Sequence, residues 1–174
     1  MARAMRLLIV LAALLTAMAM PSAAAAAEDW SVALMRSSLD AYRNGDYRAA
    51  RRGFKRLAMH GSAVAETMLG MIYAEGKGVA GNNAVSTAYF YRAADRGYGP
   101  AQVALSDAYV MGRGIGADVK RACFWAMLAA RGSDSAAAEG AERETRLCAL
   151  LDPAARGRIR RNVDDWRPRA RRND

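Results

Sequence analysis

Apolar residues recur along the middle of the chain with the three- and four-residue spacing of α-helices. In one segment this spacing defines a single buried stripe, made of Ala65, Leu69, Ile72 and Tyr73. The glycine loop at 76–78 ends that helix, because glycine accepts backbone angles that other residues avoid. Asn82 then caps a second helix, which closes at Gly97. The inner face of this second helix is predicted to comprise Ser86, Tyr89, Phe90, Ala93 and Ala94. The pattern predicts a pair of antiparallel helices.

The same helix pair repeats after 36 residues. Matched positions include Leu69/Leu105, Tyr73/Tyr109, Gly76/Gly112, Gly78/Gly114, Asn82/Asp118 and Tyr89/Trp125. A partial earlier copy places Asp46 and Phe54 36 residues before Asn82 and Phe90, and its first helix ends at Asn44–Gly45. The repeats predict three helix-pair units, at about 30–61, 62–97 and 98–132. One pair cannot bury its apolar side alone, so neighbouring pairs must stack.

Two further helices follow Gly132. The first is predicted at 135–150, and Asp152–Pro153 begins the second, with Asp as the cap and Pro at the first helical position. Ile159, Val163 and Trp166 give it one apolar face. The sequence therefore predicts an all-α fold, a short right-handed α-solenoid of antiparallel helix pairs, closed by capping helices at 135–168.

These motifs resemble the Sel1-like repeat family, relatives of the tetratricopeptide repeat. The residues that carry the resemblance are Leu69–Gly70, Tyr73, Gly76, Gly78 and Val79, and then Leu105, Tyr109, Gly112, Gly114, Ile115, Asp118, Ala122 and Trp125. Ser106, Asn82 and Ser86 depart from the family pattern by conservative exchanges, and the first unit looks more like a plain tetratricopeptide repeat. Trp166–Arg167–Pro168 is similar to the Trp-x-Pro ending of capping helices in exported members. The resemblance implies a bacterial envelope protein that acts through protein contacts.

The amino-terminal residues have the order of a secretory signal peptide. Arg3 and Arg6 precede an apolar run from Leu7 to Met20, and an alanine run ends before Glu28. We expect a signal peptide at 1–27, a repeat domain at 28–168 and a basic tail at 169–174, with cleavage after Ala27 or slightly earlier. An uncleaved anchor is the alternative, although the apolar run is shorter than the ~20 residues of a membrane span. The mature protein is expected to be periplasmic or secreted, with no transmembrane segment.

The net charge of +9 is unevenly distributed. Residues 43–62 carry six basic residues and one acidic residue, and residues 151–174 carry eight arginines and four aspartates. Such patches could bind an anionic envelope component, or they could be solvated helix faces that aid solubility. Nucleic acid is not an expected partner, because no aromatic residues are interleaved with the basic ones.

The two cysteines and the single histidine offer little chemistry. Cys123 and Cys148 lie on consecutive antiparallel helices, and export favours a disulfide between them. Counted from the turn, however, their heights differ by ~6 Å at 1.5 Å per residue, so two buried thiols are the alternative. His60 precedes Gly61 at a helix end and is interpreted as structural. No metal site, cofactor or catalytic residue is expected.

The sequence favours a binding function over catalysis. It contains neither G-x-S-x-G nor S-x-x-K, and the 76–78 loop lacks the Gly-Lys-Ser/Thr ending of a P-loop. We expect a non-enzymatic scaffold or regulator that binds a protein or peptide on the face lined by first helices. The residues predicted for this contact face are Thr67, Met71, Ala74, Val103, Asp107 and Val110. The alternative is an envelope hydrolase of the β-lactamase-like type, a label given to some Sel1-like relatives.

Overall fold

The computed structural model describes the backbone of residues 23–169 and the side chains of residues 30–169. This part of the chain contains no strand and forms eight helices: α1 (Ala23–Arg43), α2 (Tyr47–Met59), α3 (Ala63–Glu75), α4 (Asn83–Asp95), α5 (Gly99–Met111), α6 (Val119–Ala130), α7 (Ala137–Cys148) and α8 (Pro153–Asp165). Among the described residues, 23–33 and 34–169 belong to two separate compact parts of the chain. Most of the predicted signal peptide, and the basic tail beyond residue 169, lie outside the described residues.

The 36-residue period of the sequence is also the period of the helices. α3 and α5 both contain 13 residues and begin 36 residues apart. Each ends at a glycine in the left-handed conformation, Gly76 with φ 67° and Gly112 with φ 64°. The following loops close alike, because the N–H groups of Asn82 and Asp118 donate to the carbonyls of Tyr73 and Tyr109, at 2.8 and 3.0 Å.

Short-range caps begin the second helix of each unit. The side chains of Asp46, Asn82 and Asp118 each accept a hydrogen bond from the N–H three residues later, at 2.9 to 3.0 Å. Each bond satisfies a backbone donor that the first turn of a helix leaves unpaired. The predicted capping roles of Asn82 and Asp118 are therefore confirmed.

The core follows the predicted apolar stripes. Leu69, Ile72 and Leu105 are fully buried, and the paired alanines Ala93 and Ala94 have no exposed surface. The two tyrosine positions are less buried than predicted: Tyr73 and Tyr89 are half-buried, and their rings stack with centroids 5.8 Å apart. Their aromatic faces cover the edge of the core and do not fill its centre.

Successive units contact each other through the second glycine of each loop. A Cβ on Gly78 would lie 2.7 Å from the Tyr47 side chain, at the start of α2. A Cβ on Gly114 would overlap the peptide group that joins Asn83 to Ala84, at the start of α4. Both glycines also have φ near +65° to +69°, which residues with a Cβ rarely adopt. The loop of one unit therefore approaches the second helix of the preceding unit at a distance that only glycine permits.

The carboxyl-terminal helices close the last unit in two ways. α7 packs against α6 as a further first helix would, whereas α8 packs mainly against α6 and adds Ile159 and Val163 to the core. The segment after α8 then turns back to the end of α4. Pro168 lies beside Gly97, and the Arg169 N–H donates to the Asp95 carbonyl at 2.9 Å.

Cys123 and Cys148 form a disulfide in the structure, with Cα atoms 5.2 Å apart. The ~6 Å height difference that argued against this pairing is wrong, because the turn does not set the register of the two helices. Gly140 packs against Ala130, where a Cβ would lie 2.5 Å from the Ala130 nitrogen. Cys123 lies seven residues before Ala130, and Cys148 lies eight residues after Gly140. Because Ala130 and Gly140 are in contact, the positions of the two cysteines along the helix axes differ by only about 1.5 Å.

Candidate protein-contact surfaces

A groove runs between the first helices of two consecutive units, α3 and α5, with α4 beneath it. We call it the α3–α5 groove. It encloses about 280 Å³ and is lined by Met71, Ala74, Glu75, Asn83, Ser86, Thr87, Phe90, Ala104, Asp107, Ala108 and Arg113. The floor is apolar at Phe90, Met71 adds an apolar side chain from the α3 wall, and small residues on both facing helices keep the groove open.

Three of the six residues predicted for the contact face line this groove. Met71 and Ala74 lie on one wall, and Asp107 lies on the other. Ala74 is exposed, while Met71 and Asp107 are half-buried. These three residues therefore lie on the side of α3 and α5 that lines the groove.

The other three predicted residues do not line the groove. Thr67 is buried and its hydroxyl donates to the Ala63 carbonyl at 2.9 Å. Val103 is buried against Ala129, in the last turn of α6. Val110 is exposed but lies outside the groove. The prediction of an exposed contact residue is thus wrong for Thr67 and Val103, because neighbouring parts of the fold cover positions near the start of each first helix.

Both carboxylates at the groove have partners within the protein. Arg143 of α7 donates to the two oxygens of Asp107, each at 2.9 Å, and this bonding raises the pKa of Arg143. Glu75 lies 2.6 Å from the ammonium of Lys77. The guanidinium of Arg113 forms no ion pair with a described residue. The backbone carbonyl of Arg113 accepts a hydrogen bond from the Thr87 hydroxyl at 2.7 Å. The groove therefore offers apolar contacts together with the guanidinium of Arg113, which has no ion-pair partner among residues 30–169.

Lys77 has a role that the sequence did not predict. Its ammonium bonds the Tyr42 hydroxyl at 3.0 Å and lies 4.9 and 5.4 Å from the ring centroids of Tyr42 and Tyr47. The hydrogen bond with Glu75, and then the one with Tyr42, raise the pKa of Lys77. The residue thus joins the loop of the second unit to the first unit. No sequence signal marks this contact, which pairs residues 35 positions apart.

Glu66 was also missed by the sequence analysis. Its side chain has no exposed surface, and its carboxylate lies 2.7 Å from Arg92 and 3.4 Å from Arg96 on α4. Burial raises the pKa of Glu66, and the two guanidinium groups oppose that rise. The equivalent residue one repeat later is Gln102, which is neutral and donates to the Ala94 carbonyl at 3.2 Å. The ion cluster is therefore a feature of the second unit and not of the repeat pattern.

The basic segments form exposed helix faces. On α2 the buried side comprises Ala50, Gly53, Phe54, Leu57 and Ala58, and the exposed side includes Arg48, Arg52, Lys55 and Arg56. His60 occupies the carboxyl-terminal cap position of this helix, as its place in the sequence suggested. Within residues 30–169, no three His, Cys, Asp or Glu side chains are arranged to hold a metal ion.

Comparison with known proteins identifies the fold. No protein-family model and no curated protein sequence matches the chain. A crystal structure of a protective antigen from uropathogenic Escherichia coli strains, described as displaying an SLR fold, superposes with a TM-score of 0.71 at 21% identity. The chain has the Sel1-like repeat fold. A Sel1 repeat protein from Oxalobacter formigenes superposes with a TM-score of 0.62, also at 21% identity.

The two Sel1-like structures are longer than this chain. The matches cover 83% and 75% of the chain, but only 32% of the Escherichia coli antigen and 56% of the Oxalobacter protein. The chain thus spans about one third of the length of the first of these proteins and just over half of the second. Between Ala23 and Arg169 no helix is both long enough and apolar enough to cross a lipid bilayer.

The Sel1-like departures found in the sequence have structural counterparts. Gly70 follows the family pattern, and a Cβ there would lie 2.5 Å from the Phe90 ring of the paired helix. The third unit has Ser106 at this position and Ala126 in place of the phenylalanine. Ser106 is fully buried, and its hydroxyl donates to the Ala122 carbonyl at 2.8 Å. Alanine at position 126, where the second repeat has Phe90, thus leaves room for Ser106 in place of glycine.

Proposed function

We propose that this protein is a non-enzymatic, exported Sel1-like repeat protein that binds another protein or peptide as a scaffold or regulator in the bacterial envelope. The α3–α5 groove is the binding surface. One observation carries the proposal: the groove between consecutive first helices is open, and three residues picked from the sequence for such contacts line it.

The chemistry of the groove suits a short protein segment. Phe90 on its floor and Met71 on its wall provide apolar contacts for small side chains. Asn83 and Arg113 also line the groove, and their amide and guanidinium groups can donate to backbone carbonyls or to a carboxylate. An apolar centre with a few polar groups around it is the usual anatomy of a protein-recognition site. Solenoid repeats commonly present such surfaces to their partners.

Photocrosslinking tests this surface. A photoreactive amino acid replaces Ala74, an exposed residue of the groove, in the protein expressed in its native cells. Leu150 provides the control, because it is 69% exposed and lines no groove described here. We expect one defined crosslinked partner from position 74 that disappears with Arg113→Glu. Equal crosslinking from position 150, or none from position 74, would contradict the proposal.

Export is proposed from the signal-peptide pattern at 1–27. Cell fractionation and amino-terminal sequencing of the mature protein test it. We expect the protein in the periplasm or medium, beginning at or near Glu28. A cytoplasmic protein that retains Met1 would contradict it.

The non-enzymatic part of the proposal is tested against the alternative of an envelope hydrolase. The purified protein is incubated with β-lactams and with peptidoglycan, and the products are followed by absorbance and mass spectrometry. We expect no turnover above a heat-treated control. Sustained turnover would favour the hydrolase instead.

A further inference from the structure

A second groove lies between α6 and α8, on the part of the fold that closes the last repeat. It encloses about 400 Å³. Its floor is apolar and consists of Phe124, Ala155 and Ile159. Its rim carries three cations, Lys120, Arg121 and Arg158. We call it the basic groove.

The rim is positive and largely unpaired. The guanidinium of Arg121 donates a hydrogen bond to the Tyr109 hydroxyl at 3.4 Å and lies 3.4 Å from the Asp118 carboxylate. Asp118 therefore offsets part of its charge. Lys120 and Arg158 are exposed and form no ion pair with any described residue. No carboxylate lines the groove. A ligand that enters it therefore meets a net positive charge, although Asp118 offsets part of the charge of Arg121 and Asp152 interacts electrostatically with Arg158.

The floor is held in place by its neighbours. The Phe124 ring packs edge-on against Trp125, with centroids 5.2 Å apart, and Ile159 and Ala155 are buried. The adjacent Cys123 is tied to α7 by the disulfide. A rigid apolar recess of this kind gains affinity from one inserted aromatic or large aliphatic side chain, because little ordering is required on binding.

We propose that the basic groove binds an acidic segment of a partner protein in which carboxylates flank one large apolar side chain. The carboxylates pair with Lys120 and Arg158, and the apolar side chain lies on Phe124. This inference rests on the proposed protein-binding function and names the chemistry of the partner. A peptide is favoured over a lipid surface because Ala155 and Ile159 are buried, so that a side chain inserted between α6 and α8 reaches them and a flat headgroup layer does not.

The probe is a fluorescein-labelled nonapeptide with one central tryptophan and two glutamates on each side of it. Binding to the purified protein is followed by fluorescence anisotropy at low salt. Two matched peptides separate the contributions: one replaces the tryptophan with glycine, and the other replaces the glutamates with glutamines. We expect each replacement to weaken binding at least about tenfold, because charge steers and orients the peptide while the apolar anchor supplies most of the affinity.

Protein variants locate the site. Lys120→Gln combined with Arg158→Gln removes the free rim charges and is expected to weaken binding at least about tenfold. Lys55→Gln combined with Arg160→Gln removes the same charge at exposed residues outside the groove and is expected to change binding less than about twofold. Asn162→Trp fills the groove from its rim and should abolish binding while leaving the circular dichroism spectrum unchanged.

Three outcomes would overturn the proposal. Equal weakening by the two charge variants would indicate non-specific attraction to a basic protein. Equal binding of the glycine-centred peptide would mean that the floor is not used. Binding to vesicles that contain anionic lipid, lost with the rim variant while the peptide does not bind, would assign the groove to a membrane. Crosslinking from Ala74 is scored separately, so failure of the α3–α5 groove and failure of the basic groove are distinguishable.

Discussion

Replacing Gly114 with alanine should destabilise the repeat more than its loop position suggests. Gly114 has φ 69°, and a Cβ there would overlap the backbone of Asn83 in the preceding unit. The left-handed conformation alone costs an alanine about 1–2 kcal/mol. Relief of the overlap requires the two units to move apart, which costs about a further 1–3 kcal/mol by analogy with overpacked cores. We expect the free energy of unfolding to fall by about 2–5 kcal/mol in total.

Two other glycines provide matched controls for Gly114→Ala. Gly45 has φ 81° with no neighbour within 4 Å of the added Cβ, so Gly45→Ala should show the conformational cost alone, about 1–2 kcal/mol. Gly116 has neither a positive φ nor a close neighbour, so Gly116→Ala should be nearly neutral. Urea unfolding of the oxidised protein, followed by circular dichroism at 222 nm, measures all three. If Gly114→Ala costs no more than Gly45→Ala, the proposed close contact between units is wrong.

Three further predictions concern the core and the caps. Cys123→Ser combined with Cys148→Ser should lower the free energy of unfolding by about 3 kcal/mol, because the disulfide no longer restricts the loop between the two residues in the unfolded chain. Thermal melts measure the change, and an unchanged stability would refute this prediction. Glu66 has a raised pKa, so its contribution to stability is greatest below its unfolded pKa of 4.5 and is lost as the pH rises through its folded pKa. Urea titrations at several pH values should therefore show that the natural protein loses stability relative to Glu66→Gln as the pH rises. If its relative stability rises instead, the attraction of Arg92 and Arg96 for the carboxylate outweighs the effect of burial. Asp118→Ala should cost about 1 kcal/mol by removing the cap of α6, while Asp118→Asn should cost less, as measured by urea unfolding.

Sequence analysis succeeded where the determining interactions are local. The ends of α3 and α5 follow from Gly76 and Gly112, and the starts of α4 and α6 follow from Asn82 and Asp118. Each of these signals acts within a few residues of the element it delimits. The period of 36 then fixed how many such pairs stand in series.

The candidate site was predicted only in part, because exposure depends on distant elements. Thr67 and Met71 lie one helical turn apart on the same face of α3, yet Thr67 is buried and Met71 lines the groove. The same holds for Val103 and Asp107 on α5. Helical periodicity assigns a side of a helix, but it does not say where along that side the neighbouring helices end.

The basic groove, too, was predicted only in part from the sequence. The arginines of residues 151–174 were evident as a charged patch, and Ile159 as part of an apolar face. Their combination with Lys120 and Phe124 arises because α8 packs mainly against α6. Nothing in the spacing of α8 specifies this choice.

The sequence by itself determined the helices, their caps and their order, since these depend on backbone preferences and on hydrogen bonds between near neighbours. Only the tertiary structure decided the register of Cys123 against Cys148, the ion cluster of Glu66 and the walls of the two grooves. These features join residues that are far apart in the chain. Their distances depend on how closely helix backbones approach, and small contacts such as that of Gly140 with Ala130 set that approach.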